Sequence, residues 1–215
     1  MSTNTRPILL KDEMVRAVLD RRKTQTRRIA NNVYFDSKYR AKWKAVRKHT
    51  EVSIDTPAAM LVEVCPYGQP GDRLWVRETH HVPGGYLNHE LVDEIRNGVS
   101  SPESLGVTYR ADAPRLKPCD GGWTPSIHMP RWASRITLEI TNVRVERLQD
   151  ISEGDAEKEG CAPAFLDEFG NVGGVPFYRR GFCKLWREIN GHDSWDANPW
   201  VWVIEFKRIT QEATQ

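Results

Sequence analysis

Long apolar runs are missing from this 215-residue chain. No stretch approaches the ~20 consecutive apolar residues that a membrane-spanning helix needs. No apolar segment of the signal-peptide type opens the sequence either. Cysteine is scarce: Cys65, Cys119, Cys161 and Cys183 are the only four, and none forms a Cys-x-x-Cys pair. That argues against a disulfide scaffold and against the usual zinc modules. The expectation is a reduced, cytoplasmic protein with four free thiols and no membrane partner. Cys65, His80 and His81 fit no common zinc-ligand spacing, so neither a metal nor another cofactor is expected.

Disorder is also disfavoured. Hydrophobic residues make up 39% and charged residues 28% of the chain, enough apolar surface to build a core. The net charge of +2 hides an asymmetry. Residues 1–50 hold 14 Lys/Arg against 4 Asp/Glu, which leaves +10 there and −8 in the rest. Such a basic portion suits an anionic partner, with nucleic acid or nucleotide phosphate first, or is a solvated basic surface. Its densest part is Arg21–Arg28, Arg-Arg-Lys-Thr-Gln-Thr-Arg-Arg. Lys23 and Thr26 share a face only on a helical turn, whereas Thr24 and Thr26 share one only on a strand.

Arg6–Leu10 is an apolar lead-in or first strand. Met14, Val15, Val18 and Leu19 recur at helical spacing, so Lys11–Asp20 is predicted as an amphipathic helix. Asp12 and Glu13 in its first turn and the basic residues after its end suit the helix dipole. Thr24–Ile29 is predicted as a short strand. Tyr39, Trp43 and Val46 are spaced for one face of a helix over Ser37–His49, which packs on the core or offers its aromatics to bases. Ala58–Cys65 is β-rich, and Pro66–Asp72 is a turn by composition.

Arg73–Thr79 alternates as a strand. Glu78 falls on the same face as Leu74 and Val76, so it either lines a polar pocket or lies at a solvated strand end. His80–Ser104 is irregular, with a helical piece at Glu90–Arg96, and Val107–Ala111 is predicted as a strand. Ala113–Pro130 is a long proline-containing loop, of the kind that is uncommon in a compact domain unless functional or mobile. His128, Arg131 and Trp132 cluster at or just after its end, at the surface or against a ligand. Ser134–Thr141 and Asn142–Leu148 form one bent strand or a hairpin. Ser152 is an N-cap residue opening a short acidic helix that Gly160 ends. Phe182, Leu185, Trp186 and Ile189 mark an amphipathic helix over Phe177–Ile189. Asn198–Ile209 is apolar on both faces in its first half, as a doubly covered central strand would be.

Four of these features together resemble the ASCH family, small β-barrels related to the PUA domains that bind RNA. The stretch from Arg22 to Arg28 is similar to the family's Gly-x-Lys-x-x-Glu/Thr-x-Arg motif. Gly71-Asp72-Arg73-Leu74-Trp75-Val76 resembles its Gly-Asp turn entering a strand. Ile151–Glu159 resembles its acidic helix, and Val201–Lys207 its final strand. The matched segments cover about a third of the chain. The resemblance implies an α+β fold: a PUA-like mixed β-barrel with flanking helices, as one domain over residues 1–215. Loop or helix insertions near 30–57, 80–130 and 160–180 make it similar to the longer phage and prophage members.

Small bacterial members of the family are amidohydrolases that remove the acetyl group from N4-acetylcytidine. Carried over residue by residue, the resemblance implies Lys23, Thr26 and Glu159 as the catalytic set. Arg28 is then a substrate-orienting residue, with Thr24, Trp75, Glu78, Arg131 and Trp132 as further substrate-binding candidates. Either Thr26 attacks the acyl carbon with Lys23 as base, or Glu159 activates water while Lys23 holds the oxyanion. The sequence departs from the motif at its glycine, where Arg21 stands. The expected partner is a modified nucleoside or RNA. The competing expectations are a non-catalytic RNA-binding module and a ribonuclease.

Overall fold

The computed structural model describes residues 4–31, 33–36, 42–47, 50–54, 64–83, 89–118, 122–166 and 172–209. The protein is a mixed α+β structure. Its main sheet contains β1 (Thr5–Leu9), β2 (Gln25–Ile29), β6 (Arg73–Arg77), β9 (Thr137–Arg147) and β12 (Trp200–Ile209), in the spatial order β1-β6-β9-β12-β2. β1 runs parallel to β6, and the other pairs are antiparallel. The sheet therefore begins and ends with strands from the first thirty residues, and α1 (Asp12–Leu19) links them. Among the described residues no ladder joins β1 to β2. The two edges do meet through a side chain, because Arg28 Nη2 donates to the Leu9 carbonyl at 2.5 Å.

β12 is an interior strand of the sheet, covered on both faces as its double-sided apolar pattern predicts. Trp202 and Ile204 pack into one cluster with Leu74, Val76, Leu138 and the α1 residues Met14, Val15 and Val18. Val201 and Val203 face a second cluster containing Leu148, Ile151, Ala156, Phe182 and Trp186. Each large apolar side chain buried this way stabilises the fold by about 1.5–3 kcal/mol. β9 is one strand eleven residues long, not a hairpin, and its pairing with β12 shifts register between Glu205 and Phe206.

The second cluster is covered by α3 (Glu153–Lys158) and α4 (Tyr178–Asn190). Ser152 caps α3 as its sequence predicts, with its hydroxyl accepting from the Asp155 N–H at 3.1 Å. α2 (His89–Arg96) matches the predicted helical piece. The strand predicted over Val107–Ala111 shrinks to β8 (Thr108–Tyr109), paired with β7 (His80–His81).

The first insertion corrects the helix predicted over Ser37–His49. Its described residues form an antiparallel three-stranded sheet of β3 (Val33–Asp36), β4 (Lys42–Arg47) and β5 (Thr50–Ile54). The stretch Lys-Trp-Lys-Ala at the start of β4 also alternates with period two, and the flanking residues are rich in aromatic and β-branched types, which favour a pleated surface. Tyr39 lies outside the described residues, as does most of the β-rich run from Ala58. The third insertion contains the antiparallel pair β10 (Ala164–Leu166) and β11 (Val172–Phe177). No helix among the described residues is long and apolar enough to cross a membrane.

Candidate functional site

The basic stretch after α1 is shaped by a Schellman turn. The Arg22 N–H donates to the Ala17 carbonyl at 2.8 Å, and the Arg21 N–H to the Val18 carbonyl at 3.1 Å. Arg21 takes φ 60°, the left-handed conformation that glycine adopts most easily. The Lys23 N–H also reaches the Ala17 carbonyl, at 2.9 Å. The chain thus turns between Asp20 and Lys23 before β2 begins. That turn allows Lys23 and Thr26 to converge although Thr26 lies on a strand.

α3 docks its C-terminal end against this turn. The Thr24 N–H donates to the Lys158 carbonyl at 2.9 Å. Gln25 Nε2 donates to the Asp155 carbonyl at 2.7 Å, and Arg22 Nη1 to the Gly160 carbonyl at 3.2 Å. Gly160 makes the approach possible. It has φ +73°, and a Cβ there would lie 2.7 Å from Lys23 Cβ and 2.8 Å from Ala17 Cβ. Any side chain at 160 would push Glu159 and Lys23 apart.

Lys23, Thr26 and Glu159 line one cavity of about 350 Å3, with Arg27 and Arg28 beside them. That lies in the range of pockets that hold small molecules, about 300–1,000 Å3. Lys23 Nζ donates to Glu159 Oε2 at 2.8 Å and to the Glu159 carbonyl at 2.9 Å. Both side chains are at most 3% exposed. Arg27 Nη1 donates to the other carboxylate oxygen, Oε1, at 2.9 Å. Thr26 is buried and lines the cavity. Phe182, Leu185, Trp186 and Ile189 of α4 form the apolar wall, while Asp12 and Arg110, paired at 2.5 Å, also line the cavity.

Burial lowers the Lys23 pKa below its ordinary value. Glu159 pulls it back up through charge and hydrogen bonding, and Arg28 pushes it down, but desolvation wins. Burial also lowers the Arg28 pKa, with Tyr67 and Glu159 opposing. The nearby Cys161 thiol is pushed up to about 11 by burial first and Glu159 second. At neutral pH that thiol is protonated and a poor nucleophile. The hydroxyl-bearing residues that line the cavity are Thr26, Thr79 and Ser126.

The other predicted site residues lie elsewhere. Thr24 is exposed and is held through its backbone. Trp75 is half-buried on β6, with the guanidinium groups of Arg77 and Arg131 at 5.5 and 5.6 Å from its ring centre. Trp132 packs beside Met129, Tyr109 and Ala133. None of these lines the cavity. Glu78 is not a solvated strand end: it is 1% exposed and held by Arg135 Nε and Nη2, each at 3.0 Å. Burial raises its pKa, and Arg135 works against that shift. Glu78 does not line the cavity either.

Sequence reasoning missed the support behind Glu159. Arg27 joins Glu159 to Glu146 on β9 and to Asp155 on α3. This set becomes visible only through the register, because β12 separates β2 from β9 and pairs Val203 with both Arg27 and Arg144. The cavity wall on α4 had a signal, the Phe182–Ile189 apolar stripe, but that stripe also fits a wholly buried face.

Cys161 and Cys183 carry free thiols, Cys65 is buried, and Cys119 lies outside the described residues. Among the described residues no group of three or more His, Cys, Asp or Glu side chains has an arrangement that could hold a metal ion. Comparison with family models, curated proteins and solved structures gave no match.

Proposed function

We propose that the chain is an ASCH-type amidohydrolase that removes the acyl group from N4-acylated cytidine or cytosine. The observation that carries this is the convergence of Lys23, Thr26 and Glu159 in one small-molecule-sized cavity, from segments 136 residues apart. The β1 and β2 edges, bridged by Arg28, support a PUA-like barrel as the underlying fold. A reducing, cytoplasmic setting belongs to the same proposal.

Of the two chemical schemes, the geometry favours attack by Thr26. Both Glu159 oxygens are engaged, Oε2 by the Lys23 amine and Oε1 by the Arg27 guanidinium, which makes that carboxylate a weak activator of water. Lys23 is desolvated, which favours the neutral amine a general base requires. Lys23 takes the Thr26 proton as the Thr26 oxygen bonds to the acyl carbon. The carbon–N4 bond then breaks, and N4 receives the proton from Lys23, releasing cytidine and leaving an acyl ester on Thr26. Water, deprotonated by Lys23, hydrolyses that ester to the carboxylic acid and restores the Thr26 hydroxyl. Glu159 orients the amine throughout, and Arg28 faces the substrate carbonyl. The apolar α4 wall receives the flat base.

Chromatography of N4-acetylcytidine and N4-acetylcytosine after incubation with the protein tests the proposal. Release of cytidine or cytosine above a no-protein control is expected, and no release from either compound rejects it. The RNA-binding alternative draws on the +10 charge of residues 1–50. It requires single-stranded RNA binding that weakens by roughly one log unit per log unit of salt for each phosphate contact. Fluorescence anisotropy at two salt concentrations measures that.

A further inference from the structure

Arg27 takes no part in the chemical steps above, yet its side chain is 0% exposed. Its Nε and Nη2 both reach Glu146 Oε1, at 2.9 and 2.5 Å, and Nη2 lies 3.4 Å from Asp155 Oδ2. Nη1 is left to hold Glu159 Oε1 at 2.9 Å. Phe182 lies against the guanidinium, 5.8 Å from ring centre to carbon. Arg144 in turn bonds Glu146 at 3.1 Å and Asp155 at 2.9 Å, fixing the carboxylates that fix Arg27. A planar guanidinium held along one edge has one remaining direction for its free nitrogen, and Glu159 occupies it.

We propose that Arg27 is the positioning residue of the site: anchored by Glu146 and Asp155, it fixes Glu159 so that the second carboxylate oxygen holds the Lys23 amine in place. A lysine at 27 keeps the charge but lacks the fork, so it cannot hold Glu146 and Glu159 at once. The catalytic consequence rests on the amidohydrolase proposal, whereas the effect on Lys23 does not. The charged and titratable groups around Lys23 are Glu159 and Cys161 from α3 and the turn after it, and Arg28 from β2. Asp12 of α1 lines the same cavity, and α4 contributes Phe182, Leu185 and Trp186.

The test uses Arg27→Lys and Glu146→Gln in the full chain. Modification of Lys23 by a small amine-reactive ester is followed against pH by peptide mass spectrometry. In Arg27→Lys, Glu159 is released toward Lys23, and the labelling midpoint rises by about one pH unit. In Glu146→Gln, one anchoring charge is lost and only Asp155 still competes for Arg27, so Arg27 draws Glu159 from Lys23 and the midpoint falls. With N4-acetylcytidine, both variants lose kcat, by as much as ~100-fold for a displacement of about 1 Å, while KM changes far less. Circular dichroism melts identify the folded variants. A Lys23 midpoint equal to wild type in whichever variant folds overturns the proposal. If the wild type does not hydrolyse the substrate but the midpoints move as stated, the amidohydrolase proposal fails and the positioning role stands.

Discussion

Arg21 sits at φ 60° at the turn after α1, where the resembled motif has glycine. A left-handed conformation costs a residue with a Cβ about 1–2 kcal/mol. Arg21 is exposed, so its side chain contributes little packing in return. Arg21→Gly is therefore expected to stabilise the protein by about 0.5–1 kcal/mol, less than the full strain because glycine also loosens the unfolded chain. A urea titration measures it, and a lower midpoint for the glycine variant contradicts the strain assignment. The departure from the motif was legible in the sequence. Its consequence was not, because a single sequence shows that Arg replaces Gly but not whether the backbone keeps the glycine conformation. Here the backbone keeps it, and Lys23 still turns inward.

α3 has only six residues, too few to be stable alone, so its position depends on its cap and its docking. Ser152 supplies the cap. Ser152→Ala is expected to cost about 1 kcal/mol in chemical denaturation. It should also lower turnover more than stability alone explains, because α3 carries Asp155 and ends at Glu159. Unchanged stability would show that the docking contacts alone hold the helix. This element could be read from the sequence through its Ser cap and glycine end. β12 could be read through its double-sided apolar pattern. β4 could not, since Lys42–Arg47 carries aromatic and aliphatic residues that fit either period within a window of six. β9 was ambiguous for a related reason: Thr141 and Asn142 resemble a turn, but both are exposed residues in an unbroken strand.

Across the whole molecule, the site lies where the two ends of the sheet approach, and the ion pairs behind it cross from β2 to β9. The residue types could be read locally, but the closure of Lys23 onto Glu159 is a long-range event that no local pattern encodes. The buried amine also ties global stability to pH. Its folded pKa lies below the ordinary lysine value of ~10.4. Between those two values the unfolded chain holds the proton and the native protein releases it, so stability rises with pH through that window. Below the folded value the cost of burying the charge is present in full. Lys23→Met is expected to remove this rise, measured as the difference in denaturation midpoint between variant and wild type across the alkaline range. A constant difference contradicts the depressed lysine.

The chemistry itself is tested most directly by the rate of cytidine release from N4-acetylcytidine, measured side by side for wild type, Lys23→Ala and Thr26→Val. The wild type should turn over, and loss of the base should cost about 10²–10⁴-fold in rate, with Thr26→Val equally impaired and both variants folded. Full activity in folded Lys23→Ala, or no activity in the wild type, would contradict an amide hydrolase centred on Lys23, Thr26 and Glu159.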